Sequence, residues 1–73
     1  MMTTDVLAPM QGRVIELILT SGDAVEEDDQ VLVLEALKMQ VSVVAPTGGV
    51  LVEYLVHVGD DVDGGTRLAV IGD

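Results

Sequence analysis

The sequence predicts an all-β fold, a flattened β-barrel or sandwich of two small antiparallel sheets with internal quasi-twofold symmetry. Three observations predict it. The chain matches itself without a gap when shifted by 37 positions. Its apolar residues are mostly Val, Leu and Ile, in short stretches closed by Gly, Pro and Asp, as strands are. No segment keeps the helical apolar period for three turns, so helices have no support.

The repeat organises the chain. Val6, Ala8 and Pro9 fall on Val43, Ala45 and Pro46. Gly12 falls on Gly49, Glu16 on Glu53, Gly22-Asp23 on Gly59-Asp60, Val25 on Val62 and Val33 on Val70. Each half reads Ala-Pro-x-x-Gly, a strand, a Gly-Asp turn, a short strand, an acidic or glycine turn, then another strand. Those last turns are Glu26 to Asp29 in the first half and Asp63-Gly64-Gly65 in the second. The repeats run from about 6 to 36 and from 43 to 73, and residues 1–4 are expected to be disordered. Two copies are too few for a solenoid. Two halves that each lack a core should pack on each other as a single domain, 1–73.

Residues 31–45 break the rhythm. They read Val-Leu-Val-Leu-Glu-Ala-Leu-Lys-Met-Gln-Val-Ser-Val-Val-Ala, with no Gly, Pro, Asn or Asp to turn them. A domain this small is roughly 20–25 Å across, whereas fifteen extended residues reach ~50 Å. The chain must therefore reverse inside the segment. A two-residue loop at Leu37-Lys38 pairs Ala36 with Met39, Leu34 with Val41 and Leu32 with Val43, all apolar and all on one face. Glu35 with Gln40, Val33 with Ser42 and Val31 with Val44 then form a more polar face. Two-residue hairpin loops favour positive φ, for which Leu and Lys are poor choices at something like 1 kcal/mol or more each. A turn made of unsuitable residues points to a side chain at the tip that matters more than the turn's stability.

Composition narrows the function. The 73 residues hold 3 Lys+Arg against 13 Asp+Glu, a net charge of −10. That balance argues against DNA and RNA, whose phosphates are bound by displacing counterions with Lys and Arg, and against anionic membrane surfaces. The longest apolar run is four residues, too short for a spanning helix. There is no cysteine, which excludes disulfides and fits a reducing compartment. Met1-Met2-Thr3-Thr4-Asp5 shows none of the features of a signal peptide. The expected location is the cytoplasm. One histidine and no cysteine offer none of the usual zinc sites, so no metal is expected. To act in catalysis His57 would have to lie near Ser21, Ser42 or a threonine with an orienting carboxylate, and it is read instead as a partly exposed residue at a strand end. Met10 reads as packing or surface.

Lys38 is the sole lysine. The other two cations, Arg13 and Arg67, cannot act as amine nucleophiles. Most surface lysines only solubilise a loop. This one is unique, sits at the junction of the two repeats and is flanked by Leu37 and Met39, which a solubilising loop would not choose. An ordinary lysine amine, with pKa ≈ 10.4, is neutral in only about one molecule in 10³ at pH 7, so acylating it requires an activated donor.

Glu35-Ala36-Leu37-Lys38-Met39, set between the Ala-Pro-x-x-Gly and Gly-Asp repeats, resembles the biotinyl (biotin carboxyl carrier) domain of the biotinyl/lipoyl attachment family. The resemblance runs from about Val6 to Ile71. It departs at Leu37, where the family usually has Met. The resemblance implies covalent biotin on Lys38, with Leu37, Met39, Ala36 and Glu35 as flanking recognition residues. It also implies a biotin protein ligase acting through biotinyl adenylate. The carrier would then move carboxyl groups between a biotin carboxylase and a carboxyltransferase, and would not itself be an enzyme. Lipoyl domains share the fold but usually read Asp-Lys-Ala at the lysine. A lipoyl carrier and an unmodified interaction barrel are the alternatives.

Overall fold

The computed structural model describes residues 2–73. It contains eight strands: β1 (Thr3–Leu7), β2 (Gly12–Leu17), β3 (Ala24–Val25), β4 (Gln30–Ala36), β5 (Met39–Val44), β6 (Gly49–Tyr54), β7 (Asp61–Val62) and β8 (Arg67–Gly72). They form two four-stranded antiparallel sheets, ordered β1-β8-β6-β3 and β5-β4-β2-β7. Adding 37 to the residue numbers of β1 to β4 gives β5 to β8 within a residue, and exchanges one sheet order for the other. The all-β sandwich and its quasi-twofold are therefore as the repeat predicts.

Hydrogen bonds show the symmetry at the level of atoms. The Gly22 N–H donates to the Leu51 carbonyl at 2.7 Å, and the Gly59 N–H to the Val14 carbonyl at 2.7 Å. The Asp28 N–H reaches the Ala45 carbonyl at 2.9 Å; its counterpart, the Gly65 N–H, reaches the Ala8 carbonyl at 2.8 Å. Each turn thus closes on the other half. The short strands are exchanged in the same way, since β7 pairs with β2 and β3 with β6. Neither half completes its sheet alone, which is the physical reason for one domain.

The contiguous core includes Leu32, Leu34, Leu51, Leu68, Ile71, Val6, Val14 and Val31, with Leu17, Leu19 and Tyr54 packed against it. Val33 and Val70 are buried but lie outside that cluster. Each is held between two flanking strands, Val33 beside Ser42 and Glu16, Val70 beside Asp5 and Glu53. Side chains on neighbouring strands lie close enough to shield it. Tyr54 closes one side of the core. Its hydroxyl donates to the Val31 carbonyl at 2.7 Å and accepts from the Leu19 N–H at 3.1 Å. Burial pushes its phenol above the ordinary tyrosine value of 10.0.

Three expectations are corrected. Thr3 and Thr4 are ordered strand residues paired with Gly72 and Ile71, because β1 completes the edge of β8; Met1 lies outside the described residues. Val44 pairs with Gln30 and not with Val31, because the register shifts by one between Gln30 and Leu32 and turns Val31 into the core. The molecule measures 36 × 18 × 17 Å, longer than a sphere of this mass, because the hairpin and the chain termini extend it at opposite ends.

Candidate functional site

The chain reverses at Leu37 and Lys38, between β4 and β5. Five of the six expected cross-strand pairs are present: Ala36–Met39, Glu35–Gln40, Leu34–Val41, Val33–Ser42 and Leu32–Val43. Both loop residues have positive φ, 51° at Leu37 and 65° at Lys38. This is the two-residue hairpin geometry that usually takes Asn-Gly. Here it is made by two residues with bulky side chains, so the strain is real.

The tip stands clear of the core. Leu37 is 95% exposed and Met39 67%. Lys38, Glu35 and Gln40 are also exposed, and Ala36 is partly buried. The apolar face of the hairpin is therefore covered at Leu32, Leu34 and Val43 but bare at Met39, since the hairpin outruns the opposing sheet. The Lys38 amine makes no hydrogen bond or ion pair among the described residues. A long acyl group on that nitrogen displaces no existing contact, so the residue fits the covalent load the sequence suggests.

The base of the hairpin is firm. Glu35 lies opposite Arg13 on β2, and Arg13 lies opposite Asp61 on β7. The Arg13 Nε donates to Asp61 Oδ1 at 3.1 Å, and this hydrogen bond holds the guanidinium above its ordinary value. At Gly12 a Cβ would come within 2.9 Å of the Glu35 carbonyl, so β2 can approach β4 this closely only without a side chain there. Beside the tip lies an open groove of about 660 Å³, lined by Met10, Gln11, Gly12, Glu35, Ala36, Leu37 and Asp61.

Of the residues singled out in the sequence, Glu35, Ala36, Leu37, Lys38 and Met39 are thus brought together at one end of the molecule. His57 is not at a strand end. It sits in the loop between β6 and β7 with its side chain exposed to solvent and its backbone N–H donating to Asp60 Oδ2 at 2.8 Å. The sequence reading missed Gln11 and Asp61 and gave Met10 only as packing or surface; it is exposed and lines the groove. The repeat could not flag them, because their counterparts are Gly48, Ala24 and Thr47.

The family model described as "Biotin-requiring enzyme" matches residues 4–71. The biotin carboxyl carrier protein of acetyl-CoA carboxylase from Solanum lycopersicum is 38% identical over 68 residues, 93% of this chain and 97% of that one. The dihydrolipoyllysine-residue acetyltransferase component of pyruvate dehydrogenase complex from Cupriavidus necator is 41% identical over 58 residues, 80% of this chain and 10% of that one. Among solved structures, the urea carboxylase of Kluyveromyces lactis superposes with a TM-score of 0.93 at 30% identity, covering 99% of this chain and 6% of that one. With its two interlocked sheets, its closed hairpin and a family match over nearly its whole length, the chain belongs to the biotin/lipoyl attachment domain family and is a small carrier domain of that family.

Proposed function

We propose that this chain is a biotin carboxyl carrier and that Lys38 is its point of attachment. One observation carries the reading: the only amine side chain in the sequence stands unpartnered at the apex of a strained two-residue turn. The lysine nitrogen would attack the acyl carbon of biotinyl adenylate. A C–N bond forms, the acyl–phosphate C–O bond breaks, AMP leaves with the electron pair, and the ammonium proton passes to the ligase or solvent. Attachment removes one positive charge, so the net charge of −10 becomes −11. Once bound, biotin supplies a ring nitrogen that takes up and gives back CO₂.

The chain's own residues supply presentation. Glu35, Ala36, Leu37 and Met39 flank the amine and form the surface a biotin protein ligase reads. The strand pairs below them hold the tip at a fixed angle, so the arm and the whole domain carry the motion. A biotin carboxylase and a carboxyltransferase are the partners this reading requires, approached through an acidic surface whose contacts weaken with salt. A cysteine-free chain fits work in the cytoplasm. Met39 directly after the lysine, and Leu37 in place of an acidic residue directly before it, favour biotin over lipoate.

Co-expression with an active biotin ligase is expected to add the mass of one biotin, and Lys38→Ala to abolish the gain. No gain in the wild-type chain, or an equal gain in the variant, refutes the assignment. Lipoate taken up in preference to biotin establishes the lipoyl reading, which the acetyltransferase relative supports.

A further inference from the structure

We infer that the groove beside the hairpin is a resting site for the ureido ring carried on Lys38, an inference that rests on the proposed function. The groove's volume, about 660 Å³, lies within the ~300–1,000 Å³ typical of small-molecule sites. Leu37, next to the modified residue, forms one wall. An arm with ten or so single bonds of ~1.5 Å reaches on the order of 10–15 Å, enough to fold back from the tip.

The lining suits the ring. A ureido group presents two N–H donors and one carbonyl acceptor, and its fused thioether ring is apolar. Gln11 offers an amide that both donates and accepts, Glu35 and Asp61 are acceptor residues, and Met10, Ala36 and Leu37 are apolar. Two acidic residues line the groove and Arg13, 3.1 Å from Asp61, offsets one of them, so the lining carries little net charge and suits a neutral ring.

The opposite end lacks this chemistry. There the counterparts of Met10, Gln11, Glu35 and Asp61 are Thr47, Gly48, Gly72 and Ala24. The polar lining of the groove is therefore not a by-product of the repeat. Tethering sets the ring's local concentration near ~1 mM, so even a millimolar contact is populated about half the time.

NMR on isotope-labelled protein tests this. The chain loaded with biotin, verified by intact mass, is compared with Lys38→Gln, which loses the same charge and bears no ring. The Met10 methyl and the Gln11 side-chain amide are expected to shift only in the loaded protein. Ring protons should give Overhauser contacts to the Met10 methyl, and the ring should move more slowly than a free arm. In loaded protein carrying Met10→Ala and Gln11→Ala, both exposed positions, the ring should gain fast local motion. Identical Met10 and Gln11 signals in the loaded and Lys38→Gln proteins, with a freely tumbling ring, overturn the inference. If ligase fails to load the chain, an activated biotin ester makes the same amide at its only lysine. The product, freed of chains acylated at the N-terminal amine, gives the same readout. Failure of the groove is thus distinguished from failure of the carrier assignment.

Discussion

The two ends of the molecule come from one repeat and are finished differently. At the terminal end, Met2 and Asp73 stand where Met39 and Ala36 stand at the tip. There the chain is open, tied by the Asp73 N–H donating to the Met2 carbonyl at 3.2 Å. At the tip the chain closes through Leu37 and Lys38, both at positive φ. Two symmetry-related pairs also have positive φ, Gly22 (97°) with Gly59 (99°) and Asp28 (73°) with Gly65 (87°), and all four are types that tolerate this region well. Leu and Lys do not, and they sit where the amine is presented. Charge differs too. The turn at 26–29 near the termini holds four carboxylates, whereas its counterpart at 63–66 holds one. The turn nearer the tip thus carries less negative charge than its counterpart at the terminal end.

Substitutions at equivalent positions test how far that asymmetry goes. The largest effect is expected at Gly49, whose added Cβ would sit 2.0 Å from the Gly72 carbonyl oxygen with φ at 152°. Gly49→Ala should lose on the order of 3 kcal/mol or more in urea unfolding, most of the stability of a domain this small. Its counterpart Gly12→Ala meets the Glu35 carbonyl at 2.9 Å without the left-handed φ and should lose about 1–2 kcal/mol. Equal losses would show that the two ends are strained alike.

Tyr54 comes next, because its counterpart, Leu17, has no hydroxyl. Tyr54→Phe leaves the Val31 carbonyl and the Leu19 N–H without this partner, and should cost about 1–3 kcal/mol. It also has a pH signature. The folded protein holds the phenol proton more tightly than the unfolded chain does, chiefly through burial. That stability is complete below the unfolded value of about 10 and is lost as pH rises through the higher folded value. Tyr54→Phe should therefore flatten the decline in unfolding free energy above pH ~10. An unchanged alkaline slope would remove Tyr54 as its source.

The smallest effect concerns the tip itself. Leu37→Asn places a residue suited to positive φ beside the lysine, and should raise the urea midpoint by an amount worth ~0.5–1 kcal/mol. On the proposed function, biotinylation by the ligase should slow, because that reading assigns Leu37 to the surface the ligase recognises. A variant both more stable and modified at the wild-type rate would show that Leu37 is neither strained for a purpose nor recognised.

What the sequence determined by itself is local or periodic. The strands follow from short apolar stretches between turn residues, and the pseudo-symmetry from a match at a fixed shift. The reversal at Leu37-Lys38 follows from alternation: in a strand of period two, only that loop puts Leu32, Leu34 and Ala36 opposite Val43, Val41 and Met39. The pairing failed only at Val31, where a bulge inserts a residue that no alternation rule foresees. Only the tertiary structure decided the rest. The exchange of β3 and β7 between the halves, the bond from Tyr54 to Val31 and the meeting of Met10, Gln11 and Asp61 at the tip join residues 23 to 51 positions apart. Such contacts depend on which sheet faces which, and the spacing of neighbouring residues along the chain carries no trace of that.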